Sequence, residues 1–146
     1  MVKLISIIVA CATFSLAAQA EPAYRARSGI SADGQGNAHG VAGSGFSTSA
    51  GGQGMRTTQF NRTSNGAFTA SNNAQATTRN GGTAERSGSF TRNADGTASG
   101  ERSTTVTNAN TGVTYDGSTT YTQGSGVSRS GSCKDAAGNT VSCGSR

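Results

Sequence analysis

Thr78-Arg79-Asn80-Gly81-Gly82-Thr83-Ala84-Glu85-Arg86-Ser87-Gly88-Ser89-Phe90 runs directly into Thr91-Arg92-Asn93-Ala94-Asp95-Gly96-Thr97-Ala98. Both segments open with Thr-Arg-Asn, pass through a glycine-containing turn dipeptide and return to Thr-Ala. Asn80-Gly81 and Asp95-Gly96 are residue pairs that accept the positive φ of tight hairpin turns. Between them lie Thr, Ser and Phe without a helical period, so the connecting segment reads as a strand. The second unit closes at Val106, a third runs from Thr107 to Tyr121 and a fourth from Thr122 to Cys133, giving lengths of 13, 16, 15 and 12 residues. A degenerate earlier copy extends from Asn61 through Asn65-Gly66 to Thr77. Short internal repeats of this kind predict a series of like supersecondary units.

Alternation supports the same class. In Val113-Thr114-Tyr115-Asp116-Gly117-Ser118-Thr119-Thr120-Tyr121, period two puts Val113, Tyr115 and Tyr121 on one face and Thr114, Asp116, Ser118 and Thr120 on the other. The same parity groups Arg86, Gly88, Phe90 and Arg92. The expected fold is all-β, built of short antiparallel hairpin or meander repeats, with a β-solenoid as the alternative. Unequal unit lengths and hairpin dipeptides favour the meander. The repeat region is placed at 60–146. Residues 21–59 are rich in Gly, Ser and Ala, and their apolar residues keep no period, so they read as a flexible, disordered leader.

Composition limits what such a sheet can bury. Of 146 residues, 22 are Gly; beyond Ala20 there is one Ile and no Leu or Trp. Leu, Ile, Val and Phe fall far below the roughly 20% at which a compact apolar core becomes doubtful, which argues against an ordinary globular enzyme and for partial disorder. The net charge is +5, with Arg dominant. That excess suits a solubilising role, and it also suits anionic partners such as acidic polysaccharide or extracellular nucleic acid.

The N-terminus has the layout of an export signal at 1–20. Lys3 precedes an apolar stretch from Leu4 to Ala18, and Ala18-Gln19-Ala20 places small residues where a signal peptidase reads them, with cleavage between Ala20 and Glu21. A lipobox-like Ile8-Val9-Ala10-Cys11 offers a lipoprotein alternative at Cys11. No later segment is apolar enough to span a bilayer. With Cys11 removed, Cys133 and Cys143 remain. An even pair in an exported chain reads as one disulfide, here stapling a C-terminal hairpin across Lys134 to Ser142.

No catalytic set assembles. His39 is the sole histidine and lies in the glycine-rich leader, so neither a Ser-His-acid triad nor a metal site is expected. The seven acids are scattered singly, without the rigid carboxylate pair that glycoside hydrolysis needs. Glu85 and Glu101 adjoin Arg86 and Arg102 as locally balanced charge. No cofactor is implied: Asp33-Gly34-Gln35-Gly36-Asn37 is a single, weak likeness to a calcium loop.

Three features bear on function. Arginine recurs at equivalent places in the repeats (Arg79 with Arg92, Arg86 with Arg102, and Arg-Ser-Gly at 27, 86 and 129), so Arg79, Arg86, Arg92, Arg102 and Arg129 are candidate anion-binding residues. Ser89-Phe90-Thr91, Thr105-Val106-Thr107 and Thr120-Tyr121-Thr122 resemble the Thr-x-Thr ladders of β-solenoid antifreeze proteins. In composition the repeats resemble curli-type fibre subunits, although the Gln-x-Gly-x-Gly-Asn signature of that family is missing and Gly34-Gln35-Gly36-Asn37 matches it only in part. The expectation is an exported, non-enzymatic structural or adhesive protein of the cell surface, biofilm or extracellular matrix, self-associating through its β-repeats. The alternative is a monomeric secreted or periplasmic module that binds an anionic polysaccharide or nucleic acid through Arg-lined strands.

Overall fold

The computed structural model describes residues 23–143. The export segment, the Ala20–Glu21 junction and Cys11 lie outside the described residues. Nine strands form one sheet in chain order: β1 (Ala23–Ala32), β2 (Ala38–Ser47), β3 (Gln53–Arg62), β4 (Phe68–Thr77), β5 (Thr83–Arg92), β6 (Ala98–Thr107), β7 (Thr114–Thr122), β8 (Gly126–Lys134) and β9 (Thr140–Val141). Each is antiparallel to the next. β1 and β9 are opposite edges, so the sheet is an open meander and not a solenoid. No helix occurs among the described residues.

The turns explain the regularity. In the β4–β5 connection the Thr78 N–H donates to the Gly82 carbonyl at 2.7 Å, and the Gly81 N–H donates to the Thr78 carbonyl at 3.0 Å. Gly81 has φ +82°, which closes a tight turn with a left-handed residue and matches the right-handed twist of the flanking strands. The Thr78 hydroxyl accepts a further bond from the Gly82 N–H at 2.9 Å. In the β5–β6 connection Asp95 accepts from the Thr97 N–H in the same manner, at 2.9 Å. The left-handed glycines Gly36, Gly51, Gly66, Gly81 and Gly96 stand fifteen residues apart, one per strand and turn.

That period corrects the unit boundaries of 13, 16, 15 and 12, and it corrects the leader. Residues 23–59 are not coil: they form β1, β2 and most of β3. Their glycines obscure the strand pattern because they serve the sheet in another way. Gly40 pairs directly with Phe60, and the Phe60 ring leans over the glycine, with Cζ 2.7 Å from where a Cβ would stand. Gly54 carries the Phe46 ring likewise, with Cζ at 2.8 Å. The apolar surface that β2 lacks in its own sequence is supplied by a neighbouring strand, a long-range pairing that local composition does not reveal.

The single layer leaves almost no core. Cys133 is the one buried apolar side chain among the described residues, at 3% exposure. Its partner Cys143 lies at disulfide distance, with Cα atoms 5.2 Å apart, beyond the short β9. The pair expected to staple a C-terminal hairpin therefore stands at disulfide distance, Cys133 on β8 and Cys143 beyond β9, on either side of the Asp135–Asn139 turn.

Candidate binding face

Antiparallel pairs directly opposite one another share a face, so the register assigns every strand residue to one side of the sheet or the other. Two columns of one face carry most of the large apolar residues. One runs Ile30, Gly40, Phe60, Ala70, Phe90, Gly100, Tyr121, Val127; the other runs Tyr24, Phe46, Gly54, Ala76, Ala84, Val106, Tyr115, Cys133. The columns between and beside them, on the same face, hold Arg56, Arg62, Arg86, Arg92, Arg102 and Arg129, together with Phe68. No Asp or Glu falls on the strand positions of this face.

The centre of the face is a two-strand repeat. β3 presents Arg56, Phe60 and Arg62; β5 presents Arg86, Phe90 and Arg92 at the same spacing, and β4 lies between them. β4 contributes Ala74 opposite both Arg56 and Arg86, Ala70 opposite both Phe60 and Phe90, and Phe68 opposite both Arg62 and Arg92. Small residues on the middle strand leave room for long ones on either side. At about 4.8 Å per strand, the paired arginines of β3 and β5 stand about 10 Å apart, and the two arginine rows are separated by about 20 Å along the strands. Phe60 and Phe68 have ring centroids 6.3 Å apart with planes at 22°, and Phe68 and Phe90 are also 6.3 Å apart, tilted by 53°. Phe90 remains 37% exposed, whereas Tyr24 and Ile30 on the edge strand β1 reach 73%.

The opposite face has a different chemistry. Its columns are mostly hydroxyl and amide: Thr57, Asn73, Ser87, Ser103, Ser118 and Ser130 follow one another across six strands. Ser87 and Ser103 share a hydrogen bond at 2.6 Å, Ser118 and Ser130 one at 2.7 Å, and Thr107 and Thr114 one at 2.9 Å. The Thr105 hydroxyl donates to Asp116 at 2.8 Å. Glu85, Glu101 and Asp116 are all on this side. So are the outer residues of the three Thr-x-Thr-like segments, while Phe90, Val106 and Tyr121 point the other way. A shallow depression of about 340 Å³ opens here beside Met55, Gln75 and Glu85.

Of the arginines expected from the repeats, Arg86, Arg92, Arg102 and Arg129 share the aromatic face; Arg79 does not, since it occupies the β4–β5 turn. Arg27 lies on the hydroxyl face. Glu85 and Glu101 do not balance Arg86 and Arg102: adjacent strand residues point to opposite sides, so sequence neighbours are separated by the sheet. Arg56 and Arg62 were not anticipated. Their signal was legible as Arg-Thr-Thr-Gln-Phe-Asn-Arg at 56–62 and Arg-Ser-Gly-Ser-Phe-Thr-Arg at 86–92, thirty residues apart, which is two strand-and-turn periods.

Cation excess on one face is tolerable for a bare sheet. Two unit charges about 10 Å apart in water repel by only about 0.4 kcal/mol, and physiological salt reduces that further. The three acids whose carboxyls are held below the ordinary range are all in turns, not on either face. Asp33 is held down by Asn37 and the Gln35 N–H, Asp95 by the Thr97 hydroxyl and N–H, and Asp135 by Asn139. Among the described residues no cluster of three His, Cys, Asp or Glu could hold a metal ion, and no helix is long and apolar enough to cross a membrane. No known protein family, curated protein or solved structure matches the chain.

Proposed function

We propose that this is an exported, non-enzymatic surface or matrix protein whose arginine–aromatic face binds a polyanionic polymer. One observation carries the reading: six arginines and the aromatic residues of the strands share one uncovered face on which no carboxylate stands. An uncovered apolar patch on a soluble chain marks a contact surface. The charge on the patch selects the partner, because two such faces laid together would oppose arginine to arginine. Arginine supplies several donors in a planar fork suited to phosphate, sulfate or carboxylate. The export signal at 1–20 and the cysteine pair at disulfide distance support an extracytoplasmic setting.

Binding of the purified chain to immobilised polyphosphate, polyuronate and DNA tests the reading. Retention should weaken steeply as salt rises and should be lost when Arg56, Arg62, Arg86 and Arg92 are all changed to Gln. Retention that ignores both salt and these substitutions would sink it.

A second reading, self-association through the sheet edges, rests on a separate observation. The outer side of β1 and residues 126–132 of β8 pair with no strand among the described residues, and joining them antiparallel would set Ile30 of one copy beside Val127 of the next. Ile30 and Val127 are among the most exposed apolar residues, at 73% and 59%. Assembly by this route should rise with protein concentration and persist in high salt, which separates it from arginine-driven binding.

A further inference from the structure

Resting on the polyanion reading above, we infer that the ligand of the arginine–aromatic face is single-stranded nucleic acid. The bases lie on Phe60, Phe68, Phe90 and Tyr121, and the phosphates are held by the flanking arginines. Three features of the face select this class.

The first is the posture of the rings. Phe60 leans across the strand gap onto Gly40, and Phe90 reaches to 3.3 Å of the position a Cβ on Gly100 would take. The Phe60 ring lies over Gly40 and does not stand upright from the sheet, and Phe90 is 37% exposed, so both offer ring surface on which a planar group can stack. Base–aromatic stacking is tolerant of sequence because every base has a π-face, and it contributes about 1–3 kcal/mol per base.

The second is spacing. Successive rings from Phe60 through Phe68 to Phe90 are 6.3 Å apart. Stacked bases advance by only about 3.4 Å per strand, so bases on these rings must be unstacked from one another. An extended single strand meets that condition; a duplex, with its bases turned inward, does not. A strand crossing from β3 to β7 traverses about 19 Å along the Phe60–Phe90–Tyr121 column, with Arg102 and Arg129 in the column on one side, Arg56 and Arg86 one column further out, and Arg62, Phe68 and Arg92 in the column on the other side.

The third is the lack of charged hydrogen-bond acceptors on the strand positions of this face. The polar strand residues of this face, apart from arginine, are Ser28, Ser44, Thr58, Asn72, Thr104 and Thr119, without a carboxylate. A sugar polymer presents hydroxyl donors as well as acceptors and is best met by side-chain acceptors close to the stacking ring. Here the charged groups bordering the rings are all donors, which suits phosphate oxygens.

The test uses the full chain with the Cys133–Cys143 bridge intact. Fluorescence anisotropy is read with labelled dT12, with unlabelled 12-base-pair duplex, polyphosphate and polyuronate as competitors. Expected results are preference for dT12 over each competitor by tenfold or more, and a log–log salt slope near −4 if all six arginines engage, at about −0.7 per phosphate contact. Phe60→Ala with Phe90→Ala should weaken dT12 binding by tenfold or more and leave polyphosphate binding within twofold. Phe60→Leu with Phe90→Leu keeps apolar bulk without the π-face and should show the same selective loss, which covers the case where the alanine variant fails to fold. If polyphosphate competes as well as dT12, or both phenylalanine variants bind dT12 normally, the nucleic-acid inference falls while the polyanion reading stands. Stronger competition by polyuronate assigns the face to acidic polysaccharide and also overturns it. If no polyanion binds, both fall.

Discussion

The two faces of the sheet share one backbone and one register, yet they are stabilised by different means. On the hydroxyl face, cross-strand pairs such as Ser87–Ser103 and Thr107–Thr114 hold each other through hydrogen bonds, so the face is complete in water. On the arginine–aromatic face, neighbouring strands interlock by shape: a ring from one strand fills the space above a glycine on the next. The first arrangement pairs several of its polar groups within the sheet and mixes charges of both signs. The second leaves apolar surface and unpaired cations outward. A protein without an interior can thus dedicate one side to holding the sheet together and the other to contact.

The largest effect should come from Cys133, the one buried apolar side chain among the described residues. Changing Cys133 and Cys143 to Ser should lower unfolding free energy by about 2–3 kcal/mol, from the freed loop alone in the chain-entropy view. β9 adds only two residues of pairing, so the end of β8 should fray first. Urea denaturation with and without reductant measures this. Loss of the polar face's contribution but not of β8 protection in hydrogen exchange would contradict it.

Next come paired glycine substitutions, one on each face of β2. Gly40→Val collides with the Phe60 ring, and displacing the ring should cost about 1–3 kcal/mol, typical of an overpacked site. Gly43 faces the hydroxyl side, where a Cβ meets nothing closer than the Arg56 carbonyl at 3.8 Å. Gly43→Val should therefore be neutral or stabilising, since valine favours strands. Equal losses at both positions would mean that the rings do not depend on the glycines beneath them.

Those same glycines set the limit of what the sequence discloses. The turns were legible: Asn-Gly and Asp-Gly pairs specify hairpins through local backbone energetics, and they announced an all-β meander from about Phe60 onward. The pairing of Cys133 with Cys143, which stand at disulfide distance, was legible too, from count and context. Residues 23–59 were not, because Gly40, Gly43, Gly45 and Gly54 resemble linker until the rings of Phe60 and Phe46 are brought over two of them by register. Arginine was recognised as the residue of interest, but its grouping depends on parity along each strand. Counting repeat-equivalent positions by resemblance mixed a turn residue, Arg79, with the strand residues Arg86, Arg92, Arg102 and Arg129. Counting by the fifteen-residue turn spacing would have separated them and brought in Arg56 and Arg62.

Removing a hydroxyl pair should have a smaller effect. Ser87→Ala with Ser103→Ala deletes both partners of one exposed hydrogen bond, so no polar group is left stranded and the loss should be about 0.5–1 kcal/mol. The single change Ser87→Ala should cost no more, because water reaches the remaining hydroxyl. A loss of several kcal/mol from either would mean that the hydroxyl columns act as a cooperative network.

Acid should act on neither face but on the turns that join them. The folded-state carboxyls of Asp33, Asp95 and Asp135 sit below the ordinary 3.8, mainly through side-chain hydrogen bonds from Asn37, Thr97 and Asn139. A depressed folded-state value means that the unfolded chain binds protons first. Stability from these groups is therefore fully present above the ordinary value and is lost as pH falls from there through the lowered folded values. Each carboxylate is exposed and screened, so the effect per turn should be small. The midpoint of thermal unfolding should be flat between about pH 5 and 7 and should drop below pH 4, with a shallower drop in Asp33→Asn, Asp95→Asn, Asp135→Asn together. Asn keeps a side-chain carbonyl that accepts the turn N–H bonds and gives up only the bonds that Asp33 and Asp135 accept from the Asn37 and Asn139 amides, so this triple variant removes the titration and keeps the backbone contacts of the turns. An unchanged acid limb in the triple variant would mean that these three turns do not carry the acid sensitivity.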